Sequence, residues 1–143
     1  MTDKLRLTWD QFHQDTKILC TKIKQAGHFD KIIAVSRGGL FPAAIVAYEL
    51  DIRQLEVINI IGYDFDQKLA NPQISGFAGK TDKQTLIIDD LSDTGRSIEL
   101  LRQRFPAAVY AVVYAKPQGL TAPDIYAKEI DDLWVVFPWD NER

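Results

Sequence analysis

The sequence predicts an α/β fold with a mostly parallel central sheet flanked by helices, and three observations lead there. First, Lys31-Ile32-Ile33-Ala34-Val35, Leu86-Ile87-Ile88 and Ala107 to Ala115 are apolar runs of strand length without strict alternation. That is the pattern of strands buried on both faces. Second, the first two runs each lead into a tight polar turn and then a helical segment, the order that builds a parallel sheet. Third, those two turns hold most of the chemically distinctive residues, at strand carboxyl ends where open α/β sheets place ligands.

Composition sets the outer bounds. The chain has 143 residues, 46% hydrophobic and 26% charged, with a net charge of −3. Residues 1–143 are therefore expected to form a single globular domain. An acidic balance disfavours nucleic acid as a general partner. Cys20 is the sole cysteine, so neither an internal disulfide nor a cysteine-rich metal site is available. Met1 to Gln14 is mixed and polar, unlike a signal peptide, and no apolar run reaches membrane-spanning length. The cytoplasm is the expected location.

Thr8-Trp9-Asp10-Gln11 reads as a helix start, with Thr8 as N-cap and Gln11 closing a capping box. Phe12, Leu19 and Ile23 follow at helical spacing, Cys20 lies among them as a core residue, and Gly27 ends the segment. His13 and His28 read as surface or capping residues. After the strand over 31–35 come Ser36-Arg37-Gly38-Gly39 and a helix from about Leu40 to Leu50. Paired glycines let backbone N–H groups approach an anion, and Arg37 adds a charge-assisted donor. Taken alone, the loop reads more simply as a tight turn with a surface arginine.

Glu56 to Ile61 is the next expected strand. Gly62 to Gln84, with glycines at 62, 76 and 79 and Pro72, shows no periodicity. It reads either as a lid or as a dispensable surface loop. Thr85 to Ser97, TLIIDDLSDTGRS, is the most informative stretch. A buried strand stops at Asp89 and Asp90, Asp93 follows, and Thr94-Gly95-Arg96-Ser97 opens a helix expected over Ile98 to Phe105. The unpaired amides and positive dipole end of a helix start suit a phosphate, with Thr94 and Ser97 as hydroxyl donors. The carboxylates suit sugar hydroxyls, a hard cation such as magnesium, or proton transfer. Together they point to a phosphorylated sugar.

The strand over Ala107 to Ala115 ends in Lys116-Pro117, where the lysine is either a donor to a ligand or a snorkelling surface residue. Asp131 to Trp139 reads as a short aromatic strand. Its side chains either pack in the core or offer a flat face to a purine.

The acidic motif with its downstream Thr94-Gly95 resembles the phosphoribosyl pyrophosphate-binding motif of type I phosphoribosyltransferases. Ser36-Arg37-Gly38-Gly39 is similar to the pyrophosphate loop of the 6-oxopurine branch. Thr8-Trp9-Asp10, Tyr63-Asp64, Ala115-Lys116-Pro117 and Pro138-Trp139-Asp140 extend the likeness to bacterial xanthine-guanine phosphoribosyltransferases over nearly the whole chain. The resemblance implies that family's fold: a mostly parallel sheet, a small hood built from the chain ends, and a flexible lid at about 62–84. It also implies a cis peptide between Ser36 and Arg37.

By the same resemblance, the activity is transfer of the phosphoribosyl group of phosphoribosyl pyrophosphate to a 6-oxopurine (guanine, xanthine and/or hypoxanthine), assisted by Mg2+. Thr94, Gly95, Arg96 and Ser97 would hold the 5′-phosphate, Asp89 and Asp90 the ribose hydroxyls, and Asp90 would support the magnesium. Arg37 and Gly38 would receive pyrophosphate, with Lys68 a further candidate for it. Asp93 would be the general acid or base. Lys116 would donate to the 6-oxygen, Trp134 would stack on the ring and Val135 would meet its far edge. The family forms homodimers or homotetramers.

Two departures bear on this picture. Gly62-Tyr63 stands where the family has Ser-Tyr, and Val136-Phe137 replaces an acid and an amide, making the far edge apolar and hypoxanthine a live preference. The competing function is a non-catalytic regulatory protein on the same fold. A phospho-acceptor receiver domain fits poorly, because its acidic pair follows the first strand.

Overall fold

The computed structural model describes residues 3–61 and 72–141. Along it run β1 (Lys4–Arg6), α1 (Trp9–Ala26), β2 (Lys31–Val35), α2 (Leu40–Glu49), β3 (Gln54–Ile61) and β4 (Gln73–Gly76). They are followed by β5 (Thr85–Ser92), α3 (Arg96–Arg104), β6 (Val109–Ala115), a 3₁₀ turn (Pro117–Gly119), β7 (Ile125–Glu129) and β8 (Trp134–Val136).

α1 starts as its first turn dictates. Thr8 Oγ1 accepts from the Gln11 N–H at 3.1 Å, and Gln11 Oε1 accepts from the Thr8 N–H at 3.0 Å. The two bonds satisfy amides that a helix start otherwise leaves bare. The helix buries Phe12, Leu19, Cys20 and Ile23 and is capped at Gly27. Burial pushes the Cys20 thiol up to about 11, so this cysteine is core material. His13 and His28 are both exposed.

The main sheet has the order β4-β3-β2-β5-β6-β7, parallel throughout except for β4 against β3. From β2 the chain steps outward to β3, then returns to lay β5 on the other side of β2. That reversal opens a crevice at the carboxyl ends of β2 and β5. Period-two alternation divides the strands between two cores. Ile32, Ala34, Leu86 and Ile88 pack on the side of α1 and α2, and Ile33, Val35 and Ile87 on the side of α3.

The chain ends form the hood. β1 pairs with β8 in parallel, with Lys4 opposite Trp134, Leu5 opposite Val135 and Arg6 opposite Val136.

Several element bounds differ from the sequence reading. β5 does not stop at the acids: Asp89, Leu91 and Ser92 stay paired with β6, whereas pairing with β2 ends at Ile88. The acidic pair therefore stands where β5 outruns its neighbour. α3 begins at Arg96, earlier than Ile98, which places Arg96 and Ser97 in its first turn. The aromatic strand contracts to Trp134–Val136 because Phe137 to Asp140 make a turn. There the Asp140 N–H donates to the Phe137 carbonyl at 3.0 Å, and the Phe137 N–H donates to Asp140 Oδ2 at 2.8 Å. The tract from 62 to 84 is not wholly irregular, since Gln73–Gly76 pairs with β3. Residues 62–71, and with them Gly62, Tyr63 and Lys68, lie outside the described residues.

Candidate active site

The crevice between β2 and β5 deepens under the hood into a cleft of about 710 Å³. Arg37, Gly38, Asp89, Asp90, Asp93, Thr94, Gly95, Arg96, Ser97, Lys116, Trp134 and Val135 all line it. Folding thus brings together, from four separate stretches, every expected site residue within the described part of the chain. Lys68 falls outside it.

The first wall is the loop after β2. Its Ser36–Arg37 peptide is cis. At Gly38 an added Cβ would stand 2.1 Å from Asp90 Oδ2, so the loop lies directly on the acidic pair and only glycine fits.

The second wall is the end of β5. The Asp90 N–H donates to Asp89 Oδ1 at 2.8 Å. Burial, then the adjacent Asp90 charge, hold the Asp89 carboxyl well above the usual carboxylate range. Burial also raises Asp90, against the opposing pull of its hydrogen bonds. Two crowded, partly dry carboxylates favour a cation or a set of hydroxyl donors as company. No cluster of three or more metal-ligating side chains exists among the described residues. The oxygen donors present fit a magnesium ion held by one or two carboxylates and otherwise by substrate oxygens, not a dedicated protein cage.

The third wall is the turn into α3. Gly95, the N-cap, sits at φ 86°, and a Cβ there would meet Ala122 Cβ at 2.7 Å. No side chain caps this helix. Its leading amides face the cleft beside the Thr94 and Ser97 hydroxyls, and the Arg96 N–H reaches Thr94 Oγ1 only at 3.4 Å. The arrangement is an anion seat.

The last wall carries Lys116, Trp134 and Val135. Lys116 is not a snorkelling surface residue: it is 6% exposed. Its Nζ lies 3.4 Å from Asp93 Oδ1 and 3.7 Å from Asp132 Oδ1. Trp134, by contrast, is 64% exposed and presents a ring to the cleft. Phe137, expected to make the far edge apolar, also lines it, as does Asp140, to which the sequence reading gave no role. Asp140 belongs to the quoted Pro138-Trp139-Asp140, but its bond to the Phe137 amide exists only once the turn has formed.

A family model described as "Phosphoribosyl transferase domain" matches residues 8–142. The chain is 44% identical over 138 residues to a xanthine-guanine phosphoribosyltransferase of Desulfotalea psychrophila, covering 95% of this chain and 86% of that protein. It is 41% identical over 137 residues to the enzyme of that name from Nitratidesulfovibrio vulgaris, covering 95% and 84%. Among solved structures, a purine phosphoribosyltransferase from Pyrococcus horikoshii superposes with a TM-score of 0.83 at 31% identity, covering 98% of this chain and 96% of the other. A fold of this kind, with the acidic strand end, the anion seat and the glycine loop converging on one cleft, places the chain in the phosphoribosyltransferase family.

Proposed function

We propose that this chain is a purine-salvage enzyme that joins a 6-oxopurine to the ribose of phosphoribosyl pyrophosphate, forming a nucleoside 5′-monophosphate and pyrophosphate. The observation that carries the reading is the convergence, around a single cleft, of an anion seat, a carboxylate pair and an aromatic–lysine wall. Each answers one part of the two substrates. The start of α3 takes the 5′-phosphate, Asp89 and Asp90 take the ribose hydroxyls, and Arg37 with the Gly38 backbone takes the pyrophosphate. Trp134 stacks on the base, Lys116 donates to its 6-oxygen, and the Val135 backbone meets the far edge.

In the reaction, a purine imidazole nitrogen forms the new bond to the anomeric carbon while the carbon–oxygen bond to pyrophosphate breaks, its electron pair leaving with the pyrophosphate. The proton on the other imidazole nitrogen passes to the Asp93 carboxylate. Fixed charges and dipoles, with no covalent intermediate, stabilise the cationic sugar and departing anion. Magnesium, held through Asp90 and the substrate's own oxygens, would neutralise the pyrophosphate charge.

No helix among the described residues is long and apolar enough to cross a membrane. A cytoplasmic location is part of the same proposal. Self-association as a homodimer or homotetramer is part of the same reading.

The test is nucleotide formation from phosphoribosyl pyrophosphate, magnesium and, separately, hypoxanthine, guanine, xanthine and adenine. Turnover with 6-oxopurines and not adenine is expected. Asp93→Asn should lower kcat by about 10²-fold or more, the usual worth of a general acid or base. Binding of phosphoribosyl pyrophosphate without turnover of any base would replace this reading with the regulatory one.

A further inference from the structure

We infer that Gln118 is a positioning residue for the proton-transfer step, clamping Asp93 to the loop that carries the base-stacking tryptophan. The inference rests on the function proposed above. Gln118 sits on the 3₁₀ turn just after Lys116. Its Nε2 lies 3.2 Å from Asp93 Oδ1 and 3.2 Å from Asp132 Oδ1. Carboxylates only accept, so the amide nitrogen must face both, and each of its two hydrogens serves one carboxylate.

The same two oxygens are those nearest Lys116 Nζ, at 3.4 and 3.7 Å. One ammonium between two carboxylates leaves a negative charge over, and the amide donors of Gln118 meet that remainder. Asp89, Asp90 and Arg96 are the other titratable or charged groups of the cleft on Asp93's own stretch of chain. The four side chains come from three places: the turn between β5 and α3, the segment after β6, and the loop leading into β8. Asp132 is two residues before Trp134, so the clamp sets the acid or base relative to the ring that stacks on the purine.

The backbone is built for this contact. A Cβ on Gly119 would stand 2.5 Å from the Ser92 carbonyl and 2.6 Å from the Asp93 carbonyl. The turn bearing Gln118 therefore lies flush against the chain at Asp93, which a side chain at 119 would prevent. Among the described residues, the hydrogen bond from Gln118 and the ion pair with Lys116 both reach Asp93 at Oδ1, and in the proposed step Oδ2 takes the proton of the base. When the 6-oxygen of the substrate draws Lys116 away, Gln118 still holds Oδ1 and keeps Oδ2 aimed.

A double-mutant cycle tests this. Wild type, Gln118→Met, Asp93→Asn and the double variant are assayed with phosphoribosyl pyrophosphate, magnesium and the best 6-oxopurine. Methionine keeps the length and removes both donors. Gln118→Met should lower kcat by about three- to ten-fold, the scale of a solvent-exposed hydrogen bond to a charged group. The KM for phosphoribosyl pyrophosphate should stay within about two-fold, and the loss should vanish in the Asp93→Asn background. Gln118→Glu, which keeps the shape but brings a third carboxylate, should cost more than methionine. Losses that multiply in the double variant, or a Gln118→Met enzyme at the wild-type rate, would overturn the inference while leaving the proposed function intact. A wild-type chain that turns over no base would overturn both.

Discussion

At the scale of single residues, the site trades stability for chemistry. Asp89 is held protonated to higher pH in the folded chain than in the unfolded one, by burial and by Asp90. The sign follows directly. The native state's advantage is complete below the ordinary carboxyl value of 3.8 and disappears as pH rises through the raised native value. At neutral pH this carboxyl therefore favours the folded state less than it does in acid. Asp89→Asn should raise the thermal midpoint of the ligand-free protein at pH 7, by about 2–4 °C for each kcal/mol relieved. The gain should shrink toward pH 4, and nucleotide synthesis should fall sharply in the same variant. Calorimetry from pH 4 to 8 reads the first effect; a variant no more stable than wild type at pH 7 would mean that water already relieves the pair.

At the scale of elements, stacked rings fasten the hood to α2, the helix that follows the Arg37-Gly38 loop. Trp139 stacks on Phe41, in the first turn of α2, at 4.0 Å and 5°, and on Phe137 at 4.6 Å and 11°. Phe12 of α1 meets it edge-on at 4.9 Å. α2 follows Gly38 and Gly39 directly, so this column joins the cleft wall that carries Trp134 to the wall that carries Arg37 and Gly38. Trp139→Ala should destabilise the fold by about 2–3 kcal/mol, less than a fully buried tryptophan because the ring is only half-buried. It should also raise the KM of both substrates, because both walls lose their common support; urea melts and steady-state kinetics check the two effects.

The column also shows what the sequence could reveal. Strands β2 and β6, and β5 as far as Ile88, were legible because both their faces are buried there, so their runs are apolar. The capping box marked α1, and the glycines and acids marked two walls of the cleft. β1 and β7 were not legible: LysLeuArg is too short to show a pattern, and IleTyrAlaLysGlu mixes polar and apolar side chains at the sheet edge. Asp132, Gln118 and Asp140 carried no local signal, since their partners arrive from distant parts of the chain.

At the scale of the whole molecule, one face among the described residues is apolar and exposed. Leu40, Ala44 and Tyr48 recur every four residues along α2, which puts them on one stripe, and all three are exposed. β3 continues the surface. Leu55 is paired with Ile32 and Val57 with Ala34, so they point to the sheet face that α2 covers. Yet they remain 44% and 41% exposed, and Tyr48 is 90% exposed. A contiguous apolar surface of this kind is typical of a contact between subunits. The stripe begins at Leu40, three residues after Arg37, so a partner seated there would also steady the Arg37-Gly38 loop of the cleft. The native chain should therefore sediment as a dimer or tetramer. Tyr48→Glu combined with Leu55→Glu should shift it toward the monomer and lower activity without altering any residue of the cleft. A native chain that sediments as a monomer at micromolar concentration would show that this face serves some other contact.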